Sequence, residues 1–132
     1  MSARAISKNG EVKKNLNEIY TGPWVEKHGE KEYSVEPSFA DIEKAITEGI
    51  SETRGFQNNI KELTEEWNRG GSLDKYLRLR RQYYARRIAH FVVHPSSDPV
   101  VLDKNTGGVK EGLHRLKAAK HKGDETICVR LD

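Results

Sequence analysis

Apolar residues recur at helical spacing in three stretches of the middle of the chain and give way to short β-branched runs near its end. Phe39, Ile42, Ala45, Ile46 and Ile50 share one face of a 3.6-residue period. Ser38 ahead of them is a good N-cap, so a helix is predicted from about Phe39 to Gly49. Phe56, Ile60, Leu63 and Trp67 form a second stripe, which Gly70 and Gly71 stop. The third stripe is the clearest, with Leu73, Tyr76, Leu77, Tyr84, Ile88, Phe91 and Val92 following the N-cap candidate Ser72; this helix runs to about Val93 and Pro95 ends it. Aromatic residues on such stripes are expected to pack in a core rather than to serve as ligand platforms.

Residues 1–36 show no sustained period and read as a polar arm, disordered at its start. Lys31 to Val35 alternates like a short strand, and Trp24, Val25, Tyr33 and Val35 could anchor the arm's later part. From Ser96 the character changes. Pro99-Val100-Val101-Leu102-Asp103 is a β-branched run, Lys104 to Gly108 is turn chemistry, and Val109-Lys110 closes a hairpin. Leu113, Leu116, Ala118 and Ala119 then give a helix its apolar face, Gly123 stops it, and Thr126 to Leu131 is a final strand. The predicted order is strand, turn, strand, helix, strand.

A chain of 132 residues with 35% hydrophobic and 33% charged content has room for one domain with a modest core. The single cysteine, Cys128, allows neither an internal disulfide nor a Cys/His zinc pattern, which fits a reducing cytoplasm. No N-terminal apolar run resembles a signal peptide and no stretch approaches the ~20 apolar residues of a bilayer span, so the expectation is a soluble cytoplasmic protein with no membrane partner.

The net charge of +3 hides an asymmetry: residues 26–66 carry −6 and residues 67–97 carry +6. Two readings stay open, mutual neutralisation within the fold or a basic surface kept for a polyanion. On the third helix Arg78, Arg81 and Arg86 turn away from the apolar stripe, whereas Arg80 and Arg87 lie on its flank, either snorkelling or supplying cations to an anion site.

The candidate chemistry centres on Glu111-Gly112-Leu113-His114-Arg115-Leu116, where a turn becomes a helix. Helix N-termini expose backbone N–H groups and favour negative charge; Gly112 lets a ligand approach, and His114 and Arg115 add donors matched to phosphate oxygens. Asp103 and Glu111 are the neighbouring carboxylates, candidates for a catalytic base or metal anchor, or for structural roles in the hairpin. His90 and His94 have i, i+4 spacing but no accompanying carboxylate at a helical offset, so no metal site is expected, and His28 and His121 have no evident partner. Walker A, GxGxxG and HExxH strings are absent.

The segment from Pro99 through the Glu-Gly-Leu-His-Arg string to Gly123 and Val129, about a quarter of the chain, resembles the ParB/sulfiredoxin-like superfamily in pattern and order. Members include chromosome-partition proteins that bind CTP, sulfiredoxins that use ATP, and free-serine kinases. The resemblance implies that Gly112, His114 and Arg115 contact nucleotide phosphates, with ATP or CTP as ligand, Mg²⁺ as an accompanying ion, and Glu111 at the acidic position of the box. Leu113 stands where sulfiredoxins place their catalytic cysteine, so peroxiredoxin repair is not expected; it also replaces the first His of the kinase form.

The resulting expectation is an α+β fold with three N-terminal helices packed on a small ParB/sulfiredoxin-like mixed sheet. It forms a single domain over residues 1–132, divided into the arm 1–36, a helical part 37–94 and the sheet core 96–132. Its function is nucleotide or phosphate binding, with phosphotransferase or nucleotidase activity left open. The alternatives are a DNA- or RNA-binding module using Arg78, Arg80, Arg81, Arg86 and Arg87, and an adaptor or inhibitor that meets a protein partner.

Overall fold

The computed structural model describes residues 10–49 and 56–132, without the side chains of 56–60. The expected disorder at the start of the arm, the stripe position Ile50, and the packing of Phe56 and Ile60 all lie outside those residues. Among the described residues the class is α+β, with four α-helices and two small sheets. The fourth helix carries the Gly-Leu-His-Arg string and follows the three N-terminal ones. The chain forms two compact units: residues 10–22 with His94–Asp132, and Pro23–Val93.

In the first unit the apolar run Val100-Val101-Leu102 becomes strand β4 (Val100–Leu102), buried along its whole length. Strand β5 (Val109–Glu111) returns antiparallel to it, and β6 (Thr126–Leu131) runs parallel to it after a crossover through helix α4 (Leu113–Lys122). Strand β1 (Glu11–Asn15) pairs antiparallel with β6, with Val12 opposite Val129, giving the mixed order β1-β6-β4-β5. Part of the predicted polar arm is therefore an edge strand. A single apolar residue in Glu-Val-Lys-Lys-Asn gives no alternation to read, because an edge strand is held mainly by its backbone ladder. A 3-10 turn, Leu16–Glu18, follows β1 and drops Leu16 into the core, with Ile19 just beyond it. These two meet Val100, Leu102, Leu116, Ala119 and Val129, while Val12, Val109, Leu113 and Ile127 pack around them.

The second unit opens with a hairpin, β2 (Val25–His28) and β3 (Lys31–Ser34); only the second strand was expected. Helix α1 (Phe39–Thr47) starts at a capping box in which Ser38 Oγ accepts from Asp41 N–H and Asp41 Oδ2 accepts from Ser38 N–H, both at 3.1 Å. Ile42 and Ala45 of the predicted stripe are buried, but Phe39 stays 64% exposed. Helix α2 (Phe56–Asn68) and helix α3 (Leu73–Val93) meet the hairpin in a core of Val35, Leu63, Tyr76 and Leu77, around which Trp24, Tyr33, Trp67 and Tyr84 pack. Of the stripe aromatics, Trp67 and Tyr76 pack as expected, stacked with centroids 5.0 Å apart, whereas Phe39 does not. No helix of the described residues is long and apolar enough to cross a membrane.

Both halves of the charge asymmetry fall within this second unit. Its span holds twelve Lys/Arg and twelve Asp/Glu, so the acidic stretch and the basic helix belong to one electrically balanced body.

Candidate functional site

Helix α4 is set between two left-handed glycines, Gly112 at φ 92° and Gly123 at φ 80°. Ala at such a φ is strained, and at Gly112 a Cβ would also sit 2.8 Å from Arg115 Nη2 and 3.1 Å from its Nε. The missing Cβ is what lets the Arg115 side chain fold back over the start of its own helix. Gly112→Ala should therefore cost about 1–2 kcal/mol in urea denaturation and push the guanidinium off the turn.

The electrostatics at this helix start are unusual. Gly112 as N-cap brings no capping side chain, and the first turn contains no acidic residue. A cation, Arg115, lies instead where the helix dipole is already positive. At the other end Lys120, His121 and Lys122 complement the dipole in the ordinary way. Arg115 is 18% exposed and lies 3.6 Å from the Asp98 carboxylate. His114 lies in the same turn with its Nε2 withdrawn from solvent. The geometry thus brings Gly112, His114 and Arg115 together at one helix start.

The two carboxylates part company. Asp103 caps the β4–β5 turn: its Oδ1 accepts from Asn105 N–H at 2.7 Å and from Thr106 N–H at 3.0 Å, and its backbone closes the turn with Gly107 and Gly108. Those backbone donors hold the Asp103 carboxyl below its ordinary value, which makes it a weaker base. Since the folded value is depressed, the stabilisation is present at neutral pH and is lost as pH falls through the acid range. Asp103→Asn, which keeps the turn acceptor without the titration, should flatten the acid limb of a stability-against-pH curve. Glu111 is exposed at the opposite end of β5, paired in register with Val101.

Four of the five arginines of α3 have contacts within their own unit. Arg80 Nε lies 3.0 Å from Glu26 Oε2, Arg81 Nη1 donates to the Ser34 carbonyl at 2.8 Å, Arg86 lies over Tyr83, and Arg87 lies 4.9 Å from the Phe91 ring centre. Arg78 is exposed. His90 sits edge-on to Phe91, and His94 follows the last residue of α3. Among the described residues no group of three or more His, Cys, Asp or Glu is placed to hold a metal ion. Cys128 lies on β6, its thiol pushed up by burial and by Glu11, away from the reactive thiolate.

A cluster that sequence reading missed centres on Glu26. Tyr76 Oη donates to Glu26 Oε1 at 2.6 Å, and Arg80 donates from Nη1 to Tyr76 Oη at 3.2 Å and from Nη2 to Tyr84 Oη at 2.5 Å. His28, which shows no partner in sequence, has one here: its Nε2 is 2.8 Å from Glu26 Oε1, a charge contact once the imidazole is protonated. Neither His28 Nε2 nor Arg80 Nε is aligned for a hydrogen bond, so the Arg80 Nε contact to Glu26 is Coulombic. Burial, followed by the bond to Glu26, raises the Tyr76 phenol above its ordinary value. The available signal was the i, i+2 placement of Glu26 and His28 on one face of a strand, hidden because β2 has only one apolar residue.

No protein-family model, curated protein or solved structure matches this chain.

Proposed function

We propose that the unit containing β4, β5, α4 and β6 binds the phosphate groups of a nucleotide or another phosphate-bearing ligand at the N-terminus of α4. One observation carries this reading: the Arg115 guanidinium folds over Gly112 at a helix start that has neither a capping side chain nor an acidic first turn. Two positive features meet there, faced by the exposed carboxylate of Asp98 3.6 Å from Arg115, and a polyanion would engage both of them. Gly112 leaves room for close approach, Arg115 contributes a charged fork, and His114 sits one residue before it. A bound nucleotide such as ATP or CTP would bring the polyphosphate charge. The superfamily resemblance of the Pro99–Val129 segment points to the same turn.

Binding is the function proposed. A carboxylate base or metal anchor for phosphoryl transfer would have to come from Asp103 or Glu111; Asp103 is engaged in its turn, which leaves Glu111 as the acidic residue next to the cradle in sequence. The engagement of the α3 arginines with Glu26, Ser34, Tyr83 and Phe91 favours this reading over a nucleic-acid surface on that helix.

The test is a thermal-shift screen of ATP, ADP, CTP, GTP and short DNA, with and without Mg²⁺, on the native chain and on the His114→Ala, Arg115→Ala double variant. A ligand that binds only the folded state must raise the apparent melting temperature. A shift with a nucleotide that the double variant loses supports the reading. Absence of any shift at saturating ligand overturns it, and a DNA shift that survives the double variant assigns binding elsewhere.

A further inference from the structure

Between α1 and α3 of the Pro23–Val93 unit lies a recess of about 110 Å³ whose floor is two alanines, Ala45 and Ala85, 8% and 2% exposed. The sequence spacing builds it. Asp41, Lys44, Ala45 and Glu48 follow i, i+3, i+4, i+7 on α1, and Gln82, Ala85 and Arg86 follow i, i+3, i+4 on α3, so each helix turns one alanine and its polar flanks toward the other. Larger side chains at 45 and 85 would fill the space that the two methyl groups leave open.

The walls carry both signs in equal number: Asp41 and Glu48 are acidic, Lys44 and Arg86 basic, and Gln82 adds an amide. Asp41 Oδ2 is committed to the Ser38 capping box, and the Arg86 guanidinium lies over the Tyr83 ring, 5.6 Å from its centre. Stacking uses the face of a guanidinium and leaves its N–H edge for an oxygen acceptor. Among the described residues the side chains of Lys44, Glu48 and Gln82 make no hydrogen bond or ion pair. Opposite charges are thus gathered around one recess without pairing with one another.

We propose that this recess binds a small zwitterion of the α-amino-acid class, with its carboxylate on the Arg86 and Lys44 cations and its ammonium on Glu48. The four wall charges sum to zero, so an ion of one sign meets as much repulsion as attraction, whereas a molecule carrying both signs a few bonds apart satisfies both. Size limits the choice. Benzene occupies a cavity of about 150 Å³, so a recess of about 110 Å³ takes a molecule no larger than glycine or alanine. The recess is open to water, each ion pair is that of a partly exposed surface, and the expected affinity is millimolar. The site belongs to a different unit from the start of α4 and does not rest on the phosphate reading.

The test is ¹⁵N-resolved NMR of the full-length chain titrated with free L-alanine and, separately, with acetate and with ethylammonium, which carry one charge each. The expected result is saturable shifts with L-alanine at the Ala45 and Ala85 N–H groups and the Gln82 side-chain amide, and none with either single-charge ion. Glu48→Gln and Arg86→Gln should each weaken L-alanine binding by roughly two- to fivefold, the worth of an exposed ion pair. Glu48 is exposed at the C-cap of α1, so its variant keeps the fold even if Arg86→Gln does not. Absence of saturable shifts with L-alanine, equal shifts with acetate or ethylammonium, or unchanged affinity in a folded variant overturns the proposal.

Discussion

Glu26→Ala should lower the stability of the Pro23–Val93 unit by about 2–3 kcal/mol. Glu26 is the common acceptor of Tyr76 Oη and the counter-charge of Arg80, and its removal leaves an arginine whose side chain is only 14% exposed without its carboxylate. Breaking a buried pair from one side costs roughly 3–5 kcal/mol, and the 22% exposure of Glu26 lets water recover part of that. Glu26→Gln should cost less, because an amide oxygen still accepts from Tyr76 while the charge is lost. Trp24 and Trp67 are the only tryptophans and both belong to this unit, so their fluorescence in a urea titration reports it directly. A native midpoint in Glu26→Ala would show that the cluster is incidental to stability.

Arg115→Ala should weaken phosphate binding by roughly ten- to a hundredfold while leaving the fold intact. The loss is that of a charged hydrogen-bond donor, about 1.5–3 kcal/mol. Arg115 lies at the surface end of α4 rather than in the Leu16, Val100, Leu116, Val129 core, so its truncation opens no cavity there. Arg115→Lys should recover only part of the affinity, because an ammonium is a point charge without the guanidinium fork. Unchanged affinity in Arg115→Ala, measured at one salt concentration, would move the contact to other residues.

Sequence periodicity located the three helices of the Pro23–Val93 unit and the strand, turn, strand, helix, strand order near the C-terminus, because apolar residues recur in each at the period of its element or, in β4, as a continuous run. It could not locate β1 or β2. Each has a single apolar residue, and what places them is backbone pairing with β6 and β3 respectively, a long-range or turn-driven event that leaves no period behind. The Glu26–Arg80 contact spans 54 positions and two element types, and Arg80 read from its helix alone looked like a flanking cation. Gly112 and Arg115 were legible as a pair because helix-start chemistry is local. The fold-back of Arg115 over the missing Cβ, and the Asp98 carboxylate beside it, required the backbone to be in place.

If the start of α4 is an anion site, ¹⁵N-resolved NMR of the native chain during a tripolyphosphate titration should show saturable shifts concentrated at the backbone N–H groups of Gly112 to Leu116 and at the Arg115 Nε–H, with the α3 arginines unmoved. Shifts confined to the arginines of α3, or none at all at saturating ligand, would contradict it.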